Sequence, residues 1–177
     1  YGLILWINRS LYFLGLKKPY RADVPVWVVG NITVGGTGKT PVVIALAEWL
    51  NQKGYKPGII SRGYGGRQSG RTPVMVPAQG DPSAYGDEPI LLAQKTQCPV
   101  AIGTDRAATI RFIRQRHQHI NVILSDDGLQ HHRIAQDVCI AIIDTSLGLG
   151  NGHLLPLGPL REPAAYLKTM HFMLYRV

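Results

Sequence analysis

The run Val26-Trp27-Val28-Val29-Gly30 leads within three residues into Thr33-Val34-Gly35-Gly36-Thr37-Gly38-Lys39-Thr40, and that succession restricts this chain more than any other feature. An apolar run closing on glycine reads as a buried strand. The residues from Thr40 to Gln52 carry Val43, Leu46, Ala47 and Leu50 at helical spacing, with Gly54 to stop them. A glycine-rich turn between a strand and a helix lets successive backbone N–H groups point at phosphate oxygens, and the helix start adds the positive end of its dipole. In such a phosphate-binding loop Lys39 reaches the β- and γ-phosphates of a nucleotide and the Thr40 hydroxyl ligates Mg²⁺. The usual pattern begins with glycine; here Thr33 holds that position, and Gly35 and Gly36 supply the freedom instead.

Short apolar runs continue to alternate with helical stretches, which predicts a P-loop NTPase-like, mostly parallel α/β sheet flanked by helices. Strands are expected at Gly58 to Ser61, Pro99 to Gly103, Val122 to Leu124, Val138 to Ile143 and His171 to Val177. Helices are expected from Gly86-Asp87-Glu88-Pro89 and over Asp105 to His117. Arg62 to Arg71 and Leu147 to Pro163 read as loops, the second long enough to suggest a functional role. Cys98 and Cys139 lie in apolar stretches without metal-ligand spacing, as reduced core residues do. A chain closing on a strand is expected to have lost a continuation.

Acidic residues are scarce, eleven against nineteen lysines and arginines for a net charge of +8, yet four of them form two adjacent pairs. Adjacent carboxylates repel unless a cation or an asymmetric environment settles them. Asp126-Asp127 closes the Val122 strand, where a P-loop protein needs an acid to hold its metal directly or through water. Asp87, at a glycine-led helix start, is open to three readings: a general base, a group near the metal, or a helix-capping aspartate. Arg106 and Arg161 are candidates for holding phosphate charge, although most arginines in so basic a chain are solvated. His131 and His132 read as ordinary loop residues.

Tyr1 to Leu16 is rich in Leu, Ile, Trp and Phe, and before Asp23 the charges are all basic: Arg9, Lys17, Lys18 and Arg21. No segment approaches the length that spans a bilayer. Residues 1–22 therefore read as an amphipathic segment in an anionic membrane interface, against the alternative of a helix packed on the domain, and residues 23–177 as the kinase core. Other classes fit less well. Deviant P-loop ATPases place a lysine before the glycine pair, where this chain has Val34. A guanine-reading Asn-Lys-x-Asp element is lacking. The basic helix lacks the interleaved aromatics of a nucleic-acid platform, so no nucleic-acid partner is expected.

Taken together, Val29 to Pro41, Ser61 to Gly66, Gly86 to Pro89, Asp126 to His131, Gly150 to Gly152 and Leu155 to Pro163 resemble the tetraacyldisaccharide 4'-kinases, the lipid A 4'-kinases of Gram-negative bacteria. The resemblance runs in register over essentially the whole chain. It implies a peripheral enzyme on the cytoplasmic face of the bacterial inner membrane; a monomer is expected. That enzyme moves the γ-phosphate of ATP, with Mg²⁺, onto the 4'-hydroxyl of a tetraacylated glucosamine disaccharide 1-phosphate, making lipid IVA. It further implies Asp87 as the base, and Glu88, Asp126, Asp127 and Gln130 as the metal and water network. Arg106 and Arg161 would line the site, with residues 1–22 on the membrane. The family carries a second, smaller domain after this part, which this chain lacks.

Overall fold

A computed structural model of the chain describes residues 17–35 and 38–176. The apolar segment of residues 1–16, and with it most of the expected membrane-interface helix, lies outside the described residues, as do Gly36, Thr37 and Val177. Among the described residues no helix is long and apolar enough to cross a membrane.

Seven strands form one sheet: β1 (Val26–Gly30), β2 (Pro57–Ser61), β3 (Val74–Met75), β4 (Val100–Ile102), β5 (Val122–Asp126), β6 (Val138–Asp144) and β7 (Phe172–Arg176). Their order is β3-β4-β2-β5-β1-β6-β7. Every pairing is parallel except that of β3 with β4. Six strands thus point the same way, and their carboxyl ends share one edge of the sheet, the side on which open α/β folds bind ligands.

The helices are α1 (Lys39–Gln52), α2 (Pro82–Tyr85), α3 (Asp87–Thr96) and α4 (Arg106–Arg116), with a 3-10 turn at Ala164–Thr169. They cover both faces of the sheet, so strand residues alternate between two cores. Val29, Ile59, Leu124 and Ile140 pack with Val43 and Leu50 of α1 and Ile90 and Leu92 of α3. Val28, Ile60, Ile123 and Ala141 pack with Ile110 and Ile113 of α4 and with Tyr166.

The expected strands and helices are present, most with ends moved by a residue or two. Asp105 caps α4, its side chain accepting from the Ala108 N–H, and is not the helix's first residue. Pro99 and Gly103 flank β4 without joining it. The larger difference is at β5, which continues past Leu124 through Ser125 and Asp126, buried polar residues in register with Val28 and Val29. Unexpected elements are β3, α2 and the 3-10 turn, all too short to leave a periodic trace.

Tyr20 is already tied to the body of the fold. It forms an isolated parallel bridge with Ile134: its N–H donates to the Arg133 carbonyl, and its own carbonyl accepts from the Ala135 N–H. The guanidinium of Arg111 on α4 lies over its ring, 4.9 Å from the centroid.

Candidate phosphoryl-transfer site

The loop leaving β1 is shaped by Asn31, a fully buried residue. Its side-chain amide donates to the Thr33 carbonyl at 2.8 Å and its side-chain oxygen accepts from Lys39 Nζ at 3.4 Å. The long loop seals the outer side. Val34 N–H donates to the Pro159 carbonyl, Arg161 N–H donates to the Ile32 carbonyl, and Thr33 bridges Leu160. Gly35 and Gly38 take φ of 129° and 77°, conformations that favour glycine. Gly38 caps α1 and has no side chain to accept from the first N–H groups of the helix, the groups that bind anions at a helix start. Lys39 and the buried Thr40 follow directly.

Next to this loop, at the end of β5, the two acids differ sharply. Asp126 is 1% exposed. One carboxylate oxygen accepts from Ser61 Oγ at 3.4 Å; the other has no hydrogen-bond partner among the described residues. Burial foremost, then the charges of Glu88 and Asp127, pushes this carboxyl up to about 6, against the pull of Lys39 and Arg106. Asp127, at φ 50°, turns out of the strand and stays half-buried. Arg161 Nη1 donates to both of its oxygens, at 3.1 and 3.4 Å, and Lys39 Nζ stands 3.7 Å away.

Arg106 is not one of the solvated arginines expected of a basic chain: it is 3% exposed. Its guanidinium donates to the carbonyls of Gly103 (3.2 Å) and Asp126 (3.1 Å), while Nε has no partner among the described residues. Burial lowers its pKa to about 10, so it remains a cation at neutral pH, held there by Asp126 and Asp127. It fixes the end of β5 from beneath.

Asp87 and Glu88 open α3 and are exposed. That helix start is clamped to the 62–71 loop. A Cβ on Gly86 would lie 2.6 Å from the Tyr64 carbonyl oxygen, and one on Gly66 would lie 2.5 Å from the Tyr85 carbonyl carbon. Glu88 is near enough to act on Asp126 through its charge.

Gln130 donates to the Asn31 carbonyl at 2.7 Å, joining the loop after β5 to the loop after β1. The two histidines are more than loop residues. Burial first, and then Arg106, brings His131 down to about 4, so its ring is neutral at physiological pH. His132 meets the fully buried Glu162 at 3.3 Å and stacks edge-on against Tyr166. Asn31 and Ser61 are the site residues that sequence reasoning missed. An asparagine placed directly after the P-loop strand, in line with Lys39, was the one available signal.

The arrangement gathers cations (Lys39, Arg161), a half-buried and a buried carboxylate, a threonine hydroxyl and open helix N–H groups around the carboxyl ends of β1 and β5. Such a set neutralises a polyanion and can hold a hard cation beside it.

Comparison with known proteins agrees. The chain matches the tetraacyldisaccharide-1-P 4'-kinase family over residues 1–177. It is 49% identical to the tetraacyldisaccharide 4'-kinase of Idiomarina loihiensis over 171 residues, covering 94% of this chain and 51% of that protein. It is 47% identical to that of Coxiella burnetii, covering 98% and 52%. The chain thus spans about half the length of the curated relatives it matches. Among solved structures it resembles the "apo" form of LpxK from Aquifex aeolicus in complex with ATP, with a TM-score of 0.85 and 30% identity, over 97% of this chain and 54% of that one. With the match running from the first residue to the last, the chain belongs to the tetraacyldisaccharide-1-P 4'-kinase family.

Proposed function

We propose that this chain is the nucleotide-binding part of a kinase that transfers the γ-phosphate of Mg-ATP to the 4'-hydroxyl of a tetraacyl glucosamine disaccharide 1-phosphate, yielding lipid IVA. The observation that carries this reading is the convergence of Lys39 and Arg161 on Asp127 beside the loop after β1. Asp127 there holds two cations together in the place where a triphosphate would need them.

Lys39 and the N–H groups opening α1 bind the β- and γ-phosphates, and Arg161 steadies charge on the group in transit. The donors present fit magnesium, a hard ion satisfied by one or two carboxylates together with phosphate oxygens and water. Thr40, Asp126 and Asp127 would hold it, with Glu88 and Gln130 close to its water shell. Among the described residues no group of three or more His, Cys, Asp or Glu forms a cage, and a nucleotide-borne magnesium does not require one. The ion's contribution is to offset phosphate charge. Asp126 supports this assignment: a buried carboxylate with an unpartnered oxygen gains most from a cation.

In the transfer itself the 4'-oxygen forms its bond to the γ-phosphorus as the bond to the β,γ-bridging oxygen breaks. ADP departs with that electron pair, and the hydroxyl proton passes to a carboxylate. Asp87, exposed at the start of α3, takes that proton. A tetraacylated acceptor leaves a bilayer only at about 0.8 kcal/mol per CH₂. The enzyme therefore works at a membrane surface; we place it on the cytoplasmic side of the inner membrane, as a monomer, with residues 1–22 on anionic headgroups. The part of the relatives beyond this chain completes the acceptor side.

The test is an assay of the complete polypeptide with the lipid disaccharide and γ-labelled ATP. Label should appear at the 4'-position of the lipid. ATP hydrolysed at the same rate with and without the lipid, and no labelled lipid, would refute the reading.

A further inference from the structure

The phosphate loop has a second cationic neighbour, on the side away from the acids. Arg176 is the last residue of β7, in register with Asp144 at the end of β6. Its Nη1 lies 3.7 Å from Asp144 Oδ2, and its carbonyl accepts from both the N–H and the hydroxyl of Thr145, at 2.9 and 2.8 Å. The strand end is thus pinned. From there the side chain reaches the P-loop: a Cβ built on Gly38 would sit 3.6 Å from Arg176 Cδ and 3.9 Å from Nη1. The side chain remains 57% exposed.

Strand order decides what this arginine can meet. Asp126, Asp127 and, through Asp127, Arg161 belong to the β5 side of β1, whereas β6 and β7 lie on the other. A triphosphate whose γ end sits among Lys39, Asp127 and Arg161 extends across the loop toward β6 and β7, so its nucleoside arrives at their carboxyl ends. A guanidinium is flat, weakly hydrated and well suited to lie against an aromatic ring.

We propose that Arg176, oriented by Asp144, forms one wall of the nucleobase subsite and contacts the adenine ring. This rests on the reading of the chain as an ATP-binding kinase. Asp144 keeps the guanidinium from collapsing onto the phosphates, and the bare backbone of Gly38 leaves room for the side chain beside the loop.

The experiment compares two ligands, Mg-ATP and magnesium tripolyphosphate, which has the phosphates and no base. Binding of each is measured calorimetrically to the complete polypeptide as wild type, Arg176→Ala, Arg176→Lys and Asp144→Asn, with thermal melts to verify folding. Arg176→Ala should weaken ATP about threefold to tenfold and leave tripolyphosphate unchanged. Arg176→Lys, which keeps the charge without the plane, should recover only part of the loss. Asp144→Asn should show a smaller loss confined to ATP. Equal weakening of both ligands would make Arg176 a phosphate contact, and no weakening of either would leave it no role; each overturns the proposal. Wild type that binds neither ligand would overturn the nucleotide reading along with it.

Discussion

Lys39 Nζ stands 3.7 Å from Asp127 Oδ1, so the lysine of the phosphate loop is held by an acid from the end of the neighbouring strand. Without nucleotide this contact keeps the ammonium directed into the site, and it must be exchanged when phosphates arrive. Replacing Lys39 by Ala removes phosphate neutralisation and leaves Asp127 with Arg161. Transfer by the complete polypeptide should fall at least about 10²–10³-fold with an unchanged melting temperature. Near-normal activity of Lys39→Ala would sink the P-loop assignment.

Arg106 tests the foundation of the site. Removing it strands the Asp126 carboxylate in the interior and leaves the Gly103 and Asp126 carbonyls without their donor. Arg106→Ala should cost about 3–5 kcal/mol in urea unfolding at neutral pH, and less below pH 6, where Asp126 takes up a proton. Lysine should rescue poorly, since a single ammonium cannot span two carbonyls as a fork does.

Two buried groups give opposing pH slopes. Asp126 keeps its proton up to about pH 6 when folded but releases it near 3.8 when unfolded. The folded state binds more protons in that window, and its stability falls as pH rises through it. His131 titrates near 4 when folded and 6.5 when unfolded, so its contribution rises with pH over nearly the same range. Wild type should therefore look flat. Asp126→Asn should expose a rise in stability from pH 4 to 6.5, and His131→Gln a fall from pH 4 to 6, both read from urea midpoints. Identical profiles for the two variants would contradict the assignment.

The acidic pairs should separate kinetically. Asp87 is exposed on α3, and in the proposed transfer it takes a proton only as the hydroxyl attacks, so Asp87→Ala should lower kcat by about 10²–10⁴ with an unchanged magnesium requirement. Asp127→Ala should be slow and should also need more magnesium. Titrating magnesium against rate for both variants decides it: the same shift in each would place Asp87 in the metal site.

Residues 1–22 should carry the protein onto anionic vesicles, with raised salt weakening the attachment without abolishing it, because screening removes headgroup attraction and leaves apolar insertion. Sedimentation unchanged by deleting those residues would exclude this role.

The parallel sheet and the phosphate loop were legible because they rest on local signals: apolar runs of strand length, helical spacing in α1, and glycines where backbone must approach a phosphate. What stayed hidden depends on distant partners. Ser125 and Asp126 read as the polar end of a strand, yet both are buried ladder residues, Ser125 paired with β1 and β2 and Asp126 with β1. Nothing near Arg106 in sequence announces that it will lie under Asp126, twenty residues on. Asn31 organises the loop through Thr33 and Lys39, but a lone asparagine after a strand looks like a turn residue.

The bridge between Tyr20 and Ile134 bears on how the chain is anchored. Ile134 follows Asp127 by seven residues, which at full extension is no more than about 25 Å of backbone. At Tyr20 the chain is joined to the face of the sheet that α4 covers, by two backbone hydrogen bonds and the Arg111 contact. A pull on the chain ahead of Tyr20 is therefore borne by this bridge, and lengthening the chain before it should leave every contact in the site unaltered.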